Sequence, residues 1–375
     1  MSPKFKTIAS LLVGGLFVYW FAHKLNLGEV WTEVREANWA QLGLAVALLV
    51  GTYFVRVLRW RGLLEPMAHA SFRALFRATV VGFSVLFLMG RAAELIVRPA
   101  MLSAKERIHP SASYATVMIE RVFDMVAVVF FFAVNLVFFE YIRDDAEAMH
   151  LFGWIKLTGA LLLVTAVAGV YGLSVFRQRR ARVLDFLERK LSRLPRPFLN
   201  GTLSLLRHLS EGLAVLHDAR SLAITVSYTF LLWLLVALSH LLVVRAFGIP
   251  YVAVPFTGAV FVMGLSMLGS VVPTPGGATG PFHTAAAAAL TFLGVASTKA
   301  ASVAIILHLV VFAPATLFGL YYVLKEGLSL DRLRRIGEQQ SEDADSTAKA
   351  PQPDVMHPEI VHEVVAPDSV VIRDV

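Results

Sequence analysis

Long apolar segments constrain this chain more than any other feature. Several of them approach or exceed the about 20 residues that a helix needs to cross a bilayer. They cover residues 8–21, 42–57, 126–139, 157–176, 222–247, 252–272 and 300–324. Only 16% of the 375 residues are charged, whereas about a quarter are charged in a soluble domain. The sequence therefore predicts an all-α fold, a polytopic helical membrane protein.

The positive charge of the chain, +7 in net, is concentrated in particular loops. Basic residues prevail in residues 4–6, 56–77, 177–220 and 325–335, and acidic residues in 29–36 and 140–147. Because cytoplasmic loops carry an excess of Lys and Arg, both termini are predicted to be cytoplasmic. The same rule explains the net positive charge of the chain, so we do not predict nucleic acid as a partner. The first apolar segment has no small-residue cleavage site, which favours an uncleaved span over a signal peptide.

The segment after the second span is predicted to be a re-entrant hairpin. Between the basic residues 56–77 and the acidic residues 140–147, the chain must cross the membrane an odd number of times. Residues 114–139 supply one full span. Residues 72–109 are therefore expected to enter and leave from the cytoplasmic side, with broken backbone that protein or a water-filled cavity must cover.

A second break in helix pattern lies in the Pro/Gly segment of residues 273–281. Apolar residues 252–272 and 281–292 flank it, and either two crossings or a second hairpin entering from outside satisfies the parity of crossings. We favour the hairpin, because opposed broken hairpins are typical of secondary transporters. Proline and glycine expose backbone groups that a continuous helix would use. The segment is thus a candidate binding site, with a plain extracellular turn as the alternative; its candidate residues are Pro273, Gly276, Gly277 and His283.

The remaining regions are assigned from composition. Residues 177–220 combine leucine stripes with basic residues on other faces. This predicts either basic amphipathic helices on the inner leaflet or a helical hairpin that packs on the bundle. We place the transmembrane domain in residues 1–326 and a cytoplasmic, mostly disordered tail in residues 327–375.

Six charged residues lie inside segments predicted to enter the membrane, where one charge costs roughly 2.5–3.5 kcal/mol. They are Arg91, Glu94, Arg98, Glu120, Arg121 and Asp124. The first three share one helix face by their i, i+3, i+7 spacing, and Pro99 is expected to end or kink that helix. Glu120 and Asp124 share a face of the following span.

Two interpretations of these charges stay open. In the first, they are salt bridges that fix the hairpin against the next span. In the second, the arginines bind the phosphate of an anionic lipid headgroup, which suits the planar guanidinium, and the carboxylates hold the arginines or bind a cationic group.

The sequence also excludes several chemistries. The chain contains no cysteine, which rules out disulfides, iron–sulfur clusters and thiol nucleophiles. It contains none of the HExxH, Walker A and GxSxG motifs, so we predict no metal, no cofactor and no catalytic residue. His240, His283 and His308 lie in or near apolar helices and are each expected to be hydrogen-bonded core residues rather than ligands.

Residues 90–99 (GRAAELIVRP) followed by residues 120–124 (ERVFD) resemble the lysylphosphatidylglycerol synthase transmembrane-region family, also called flippase-like domain proteins. Residues 56–60 (RVLRW), with Arg59, resemble the end of that family's second span, and residues 273–277 (PTPGG) its Pro-Gly-Gly segment. The resemblance covers most of residues 1–326. The family usually continues with a glycine and a glutamate, where this chain has Gly280 and His283.

The resemblance implies a multi-pass protein of the bacterial inner membrane that translocates polar lipids and binds them at the residues named above. In two-part resistance proteins of the family, this region flips aminoacylated phosphatidylglycerol made by a fused cytosolic domain. The residues after Leu324 are too few and too polar for that domain, so no lipid synthesis is expected here. The expected partner is a membrane phospholipid or other polar lipid, and a homo-oligomer stays open.

Two alternatives to a translocase also remain. One is a membrane enzyme, such as a transferase for lipid-linked sugars with Asp124 or Glu94 as base. The other is an accessory subunit in lipid-linked sugar, hopanoid or aminoacyl-lipid metabolism. Since the chain has no ATP motif, a translocase would work downhill or with an ion gradient, and the carboxylates are candidate proton carriers.

Overall fold

The computed structural model describes residues 26–89, 91–106, 108, 110–138, 219–272 and 274–325, with isolated residues at 19, 23 and between 153 and 168. Every regular element in these ranges is a helix, which confirms the all-α prediction. Three described helices are long and apolar enough to cross a membrane; they are Trp39–Leu64, Arg220–Ala246 and Ser297–Lys325. The predictions for residues 8–18, 177–218 and 327–375 and for Pro273 fall outside the described residues.

The first described helices are α1 (Leu27–Glu36) and α2 (Trp39–Leu64). Asn38 caps the N-terminus of α2, because its side chain accepts a hydrogen bond from the Gln41 N–H over 3.1 Å. Along its length α2 packs against α6 (Ala219–Ala246). These two helices form the frame on which the shorter helices assemble.

The next two helices, α3 (Phe72–Met89) and α4 (Arg91–Glu106), form a hairpin. Ser71, just before α3, donates a hydrogen bond of 2.6 Å to Glu106 at the end of α4. This hydrogen bond therefore joins the two helices at the end of the hairpin opposite its tip. With 18 and 16 residues, the helices are about 27 and 24 Å long, shorter than the ~30 Å of hydrocarbon. The re-entrant placement of this hairpin in a bilayer stays a prediction.

Of the two effects expected of Pro99, an end or a kink of α4, the structure excludes the first. Pro99 does not end the helix, which continues to Glu106. Neighbouring helices cover α4, since α3 and α5 (Pro110–Phe138) both pack against it, and Ser113 of α5 donates a 3.2 Å hydrogen bond to the Pro99 carbonyl. This packing offsets the roughly 3 kcal/mol that a proline costs inside a helix.

The second half of the described chain continues with α7 (Phe256–Gly269), the four-residue α8 (Pro275–Ala278), α9 (Pro281–Phe292) and α10 (Ser297–Lys325). α7 and α9 pack against each other. At the tip, a Cβ added to Gly269 would lie 2.6 Å from the Pro281 carbonyl oxygen, and at the open end one added to Gly258 would lie 3.4 Å from Leu293. The two helices therefore form a second hairpin, and 14 and 12 residues are too few for a full crossing.

The two hairpins enter the bundle from opposite ends. The open end of the first lies beside the end of α2, where Leu64 and Leu75 share one apolar cluster. The second opens at the beginning of α2, because the Asn38 N–H donates a 2.7 Å hydrogen bond to the Ala246 carbonyl at the end of α6. From there, the Arg245 side chain donates to the carbonyls of Ile249 and Val254, just before α7.

Candidate functional site

Charged side chains from three helices converge on one buried cluster, which we call the arginine cluster. α2 supplies Arg56 and Arg59, α4 supplies Glu94 and Arg98, and α5 supplies Glu120, Arg121 and Asp124. All of them are buried except Arg121, whose side chain is 18% exposed. Arg91 begins α4, and its side chain lies outside the described part of the structure.

Arg59 lies at the centre of the arginine cluster. Its Nη1 donates to Asp124 Oδ1 over 2.8 Å and to Thr229 Oγ1 of α6 over 2.8 Å. Its Nη2 donates to Glu120 Oε1 over 3.3 Å. Arg56, one turn earlier, donates to the other oxygen of Asp124 over 3.0 Å. These contacts connect α2, α5 and α6, so the carboxylates of Glu120 and Asp124 are held by guanidinium groups from outside their own helix.

Arg121 connects α5 to the first hairpin. Its Nη2 donates to Glu94 Oε1 of α4 over 2.6 Å, and its Nη1 lies 3.6 Å from Asp124 Oδ2. These ion pairs agree with the structural interpretation of the charges, in which they fix the hairpin against the following span.

Arg98 differs from the other arginines of the cluster. Its guanidinium carbon lies 4.0 Å from the centre of the Trp60 ring, and Nη1 lies 2.7 Å from Glu120 Oε2. The orientation is not that of a hydrogen bond, and none of its three nitrogens has a hydrogen-bond partner among the described residues. Arg98 is nevertheless 0% exposed. Buried donors without acceptors cost free energy, so this guanidinium is suited to receive an anion.

The charge balance of the arginine cluster also favours the binding of an anion. Among the described side chains, four guanidinium groups (Arg56, Arg59, Arg98, Arg121) face three carboxylates (Glu94, Glu120, Asp124). One positive charge is therefore in excess in a buried site. A buried charge is costly unless it is paired, and a monoanionic ligand would pair it.

Three members of this site were not predicted from the sequence. Arg56 stands one turn before Arg59 and could have been found by its place in a predicted span. Trp60 supports Arg98 and donates from Nε1 to Thr116 over 3.0 Å. The role of Thr229 in α6 could not be predicted, since nothing in its local sequence relates it to Arg59.

The Pro/Gly break forms a tight left-handed turn. Gly276, Gly277 and Ala278 have φ values of +70°, +67° and +63°, a conformation that glycine adopts without steric cost. Gly277 also lies close to Phe312 of α10, because an added Cβ would be 2.8 Å from that ring. The turn thus requires glycine at position 277 for both its backbone and its neighbour.

Two histidines hold this turn. His308 Nε2 lies 3.2 Å from the Gly277 carbonyl oxygen, and because a carbonyl only accepts, Nε2 donates. His283 Nδ1 accepts a 3.2 Å hydrogen bond from the Gly280 N–H. The two rings are 4.5 Å apart between centroids. Of the predicted residues in this segment, Gly276, Gly277 and His283 are therefore brought together at the tip of the second hairpin.

Two phenylalanines of α3 lie between the arginine cluster and the Pro/Gly break. The Phe83 ring is 5.1 Å from the Arg56 guanidinium carbon and 5.9 Å from that of Arg121. Phe87 is 6.2 Å from His308 between ring centroids and 3.9 Å from an added Cβ on Gly276. Residues four apart share a helix face, so the two predicted sites lie one turn apart along the same stripe of α3.

Metal binding has no support in this part of the molecule. No group of His, Asp or Glu among the described residues is arranged to hold a metal ion.

Comparisons with known proteins give the chain a family. Among curated proteins no match was found. The model of the family described as lysylphosphatidylglycerol synthase TM region matches residues 7–319 of the 375. This match and the three apolar helices make the chain an integral membrane protein with a lipid-related role. The chain belongs to the lysylphosphatidylglycerol synthase transmembrane-region family.

Proposed function

We propose that this chain is a polar-lipid translocase of the bacterial inner membrane that binds an anionic lipid headgroup at the arginine cluster. The observation that carries the proposal is Arg98, a fully buried guanidinium whose nitrogens have no hydrogen-bond partner among the described residues. A phosphodiester would supply acceptors for these donors and one negative charge, which is the excess charge of the described cluster. Arginine suits phosphate because its planar donors match the phosphate oxygens.

The accessible edge of the arginine cluster supports a route for the headgroup. Among the arginines of the cluster, Arg121 and Arg56 have the most exposed side chains, at 18% and 10%. Both guanidinium groups face the half-buried ring of Phe83. A headgroup entering here would meet Arg121 and Arg56 first and Arg98 last.

The enzymatic alternative has less support from the geometry. Asp124 and Glu94, its candidate bases, each accept a hydrogen bond from an arginine. A carboxylate held in this way is stabilised in its charged form and is a weak proton acceptor.

Native mass spectrometry of the purified full chain tests the proposal, with Arg98→Gln as the variant. Glu120 keeps its bond to Arg59 in this variant, so no carboxylate is left without a guanidinium and the fold should persist. The matched control is Arg245→Gln, which removes a partly buried guanidinium that lies outside the cluster, where it binds two backbone carbonyls and packs on the Tyr251 ring. We expect anionic phospholipid to co-purify with the parent and with Arg245→Gln and to be lost from Arg98→Gln.

A parent that retains no lipid, or an Arg98→Gln variant that retains as much as the control, overturns the headgroup site. Translocation itself is measured with the same proteins in vesicles that contain a fluorescent anionic phospholipid. The expected result is transfer between leaflets by the parent and by Arg245→Gln, and a loss of transfer in Arg98→Gln. If the parent retains lipid but does not transfer it between leaflets, the protein binds lipid and is not a translocase.

A further inference from the structure

The carboxylates of the arginine cluster are poorly placed to carry protons. Asp124 accepts from Arg56 and Arg59, Glu94 accepts from Arg121, and Glu120 accepts from Arg59. Protonation of any of them would leave buried guanidinium groups without their anion, which is strongly unfavourable. A proton that drives movement of the headgroup must therefore bind elsewhere.

His283 of α9 and His308 of α10 are titratable groups at the place where the two hairpin tips meet. From α3, Phe87 packs on His308, and from α8 the Gly277 carbonyl accepts its Nε2 proton. Phe282 and Phe312 pack on the same ring at 5.2 and 4.7 Å between centroids. One turn earlier on α3, Phe83 faces the guanidinium groups of Arg56 and Arg121 in the arginine cluster.

We propose that His283 and His308 form a proton-binding site that controls the contact between the hairpin tips. The inference rests on the proposed function, because it assigns the ion coupling of that translocase to these residues. It names the proton as ligand and His283 Nδ1 as the atom that receives it.

The hydrogen bonds of the two rings decide which nitrogen takes the proton. His283 Nδ1 accepts from the Gly280 N–H, so in the neutral ring the proton is on Nε2. When Nδ1 gains a proton from water, the ring gains one positive charge and the Gly280 N–H loses its acceptor. His308 donates to Gly277 in either state. With the rings 4.5 Å apart, one proton on the pair opposes a second, as in other coupled sites.

Loss of the Gly280 bond acts on the tip contact. Gly280 has φ 96° and ψ −73° and directly precedes α9, so it adjoins the left-handed turn of Gly276 and Gly277. That turn packs against Phe87 of the first hairpin. Release of the turn would separate Phe87 from the break and open a path along α3 from the arginine cluster towards the far side of the bundle.

The test uses the full chain in vesicles and the variants His283→Gln and His308→Gln. A glutamine three residues after the N-cap accepts from the N-cap N–H, as in a capping box, so His283→Gln keeps the closed turn without a titratable group. The control is His240→Gln, which replaces a buried histidine of α6 that binds Val236 of its own helix.

We expect the parent and His240→Gln to transfer a fluorescent anionic phospholipid at a rate that depends on pH in the acidic range, because burial and the adjacent His308 ring both oppose a positive charge on His283. For one proton the change is at most about tenfold per pH unit. His283→Gln should remove this dependence, and His308→Gln should shift its midpoint, because the imidazole that packs beside His283 is gone. A rate in His283→Gln that follows pH as the parent does overturns the proton site and leaves the translocase intact.

Nuclear magnetic resonance of the chain labelled with ¹⁵N in its histidine rings separates the two proposals. The expected result is one ring signal that titrates in the parent, is absent from His283→Gln and shifts its midpoint in His308→Gln. If the parent shows this titration and moves no lipid, the proton site stands and the translocase fails. If every titrating signal of the parent is also present in His283→Gln, the proton site is refuted. This conclusion does not depend on whether lipid is transferred.

Discussion

The two polar regions of this membrane domain are stabilised in different ways. The arginine cluster sets charge against charge, with side chains from α2, α4 and α5 that bind across helices. The Pro/Gly break contains left-handed backbone, backbone carbonyls and two imidazole rings. In the cluster the cost of burial is offset by ion pairs, whereas in the break it is offset by hydrogen bonds between the histidine rings and the backbone of the turn.

This difference indicates separate roles. A buried ion-pair network resists change, because moving one member leaves another buried charge without its partner. The turn also holds Ala278, a non-glycine residue, at φ +63°, and such strained backbone clusters at sites that switch or move. We infer that the cluster is the fixed binding surface and the break is the part that rearranges. The following variants test this comparison, from the largest expected effect on stability to the smallest.

Asp124→Asn should be the most destabilising change. Asp124 binds Arg56 and Arg59 and lies 3.6 Å from Arg121, and its loss raises the excess positive charge of the cluster. We expect a loss of about 3–5 kcal/mol in the free energy of unfolding, measured by denaturation in mixed micelles. Arg98→Gln is the control, since it lowers the excess charge and should cost much less. Equal losses in both variants would show that the sign of the cluster's charge does not matter.

Gly277→Ala should come next. The added methyl group would lie 2.8 Å from Phe312 at a residue with φ +67°, and overpacking typically costs about 1–3 kcal/mol. Gly248→Ala is the matched control, because Gly248 has φ +70° and nothing within 4 Å of its added Cβ. The difference in thermal midpoint between the two variants measures the clash of the added methyl group with Phe312 of α10. Equal thermal midpoints would mean that the turn and Phe312 can move apart to accommodate the methyl group without a loss of stability.

Thr229→Val should have a smaller effect inside the arginine cluster. It removes one acceptor of Arg59 Nη1, which keeps its 2.8 Å bond to Asp124. We expect about 0.5–1.5 kcal/mol, the usual value of one hydrogen bond, by the same unfolding measurement. A loss as large as that of Asp124→Asn would show that α6 is as important to the cluster as α5.

Lys299→Gln should have the smallest effect on stability among these variants. Lys299 pairs with Glu33 at 3.3 Å, and its side chain is 34% exposed. Exposed pairs contribute about 0.2–1 kcal/mol, so the thermal midpoint should change little. A clear loss of stability here would show that α1 and its contact with α10 support the bundle more than an exposed ion pair can explain.

Several features of the fold could be predicted from local sequence. The apolar residues 281–292, predicted to flank the break in a second hairpin, form the helix Pro281–Phe292. The spacing of Glu94 and Arg98 predicted their shared face, and both join the arginine cluster. Pro99 shows the limit of such rules, since its effect on α4 depended on whether neighbouring helices covered it.

By itself, the sequence determined that the described chain is helical, which of its segments are apolar enough for a membrane, and that charges lie inside them. Those properties depend on residue type and on spacing along one helix. Only the tertiary structure decided that Arg56, Trp60 and Thr229 complete the site and that Phe87 meets the Pro/Gly break. Contacts between helices depend on the packing of whole surfaces, and no local pattern in one helix records which side chain of another will lie opposite it.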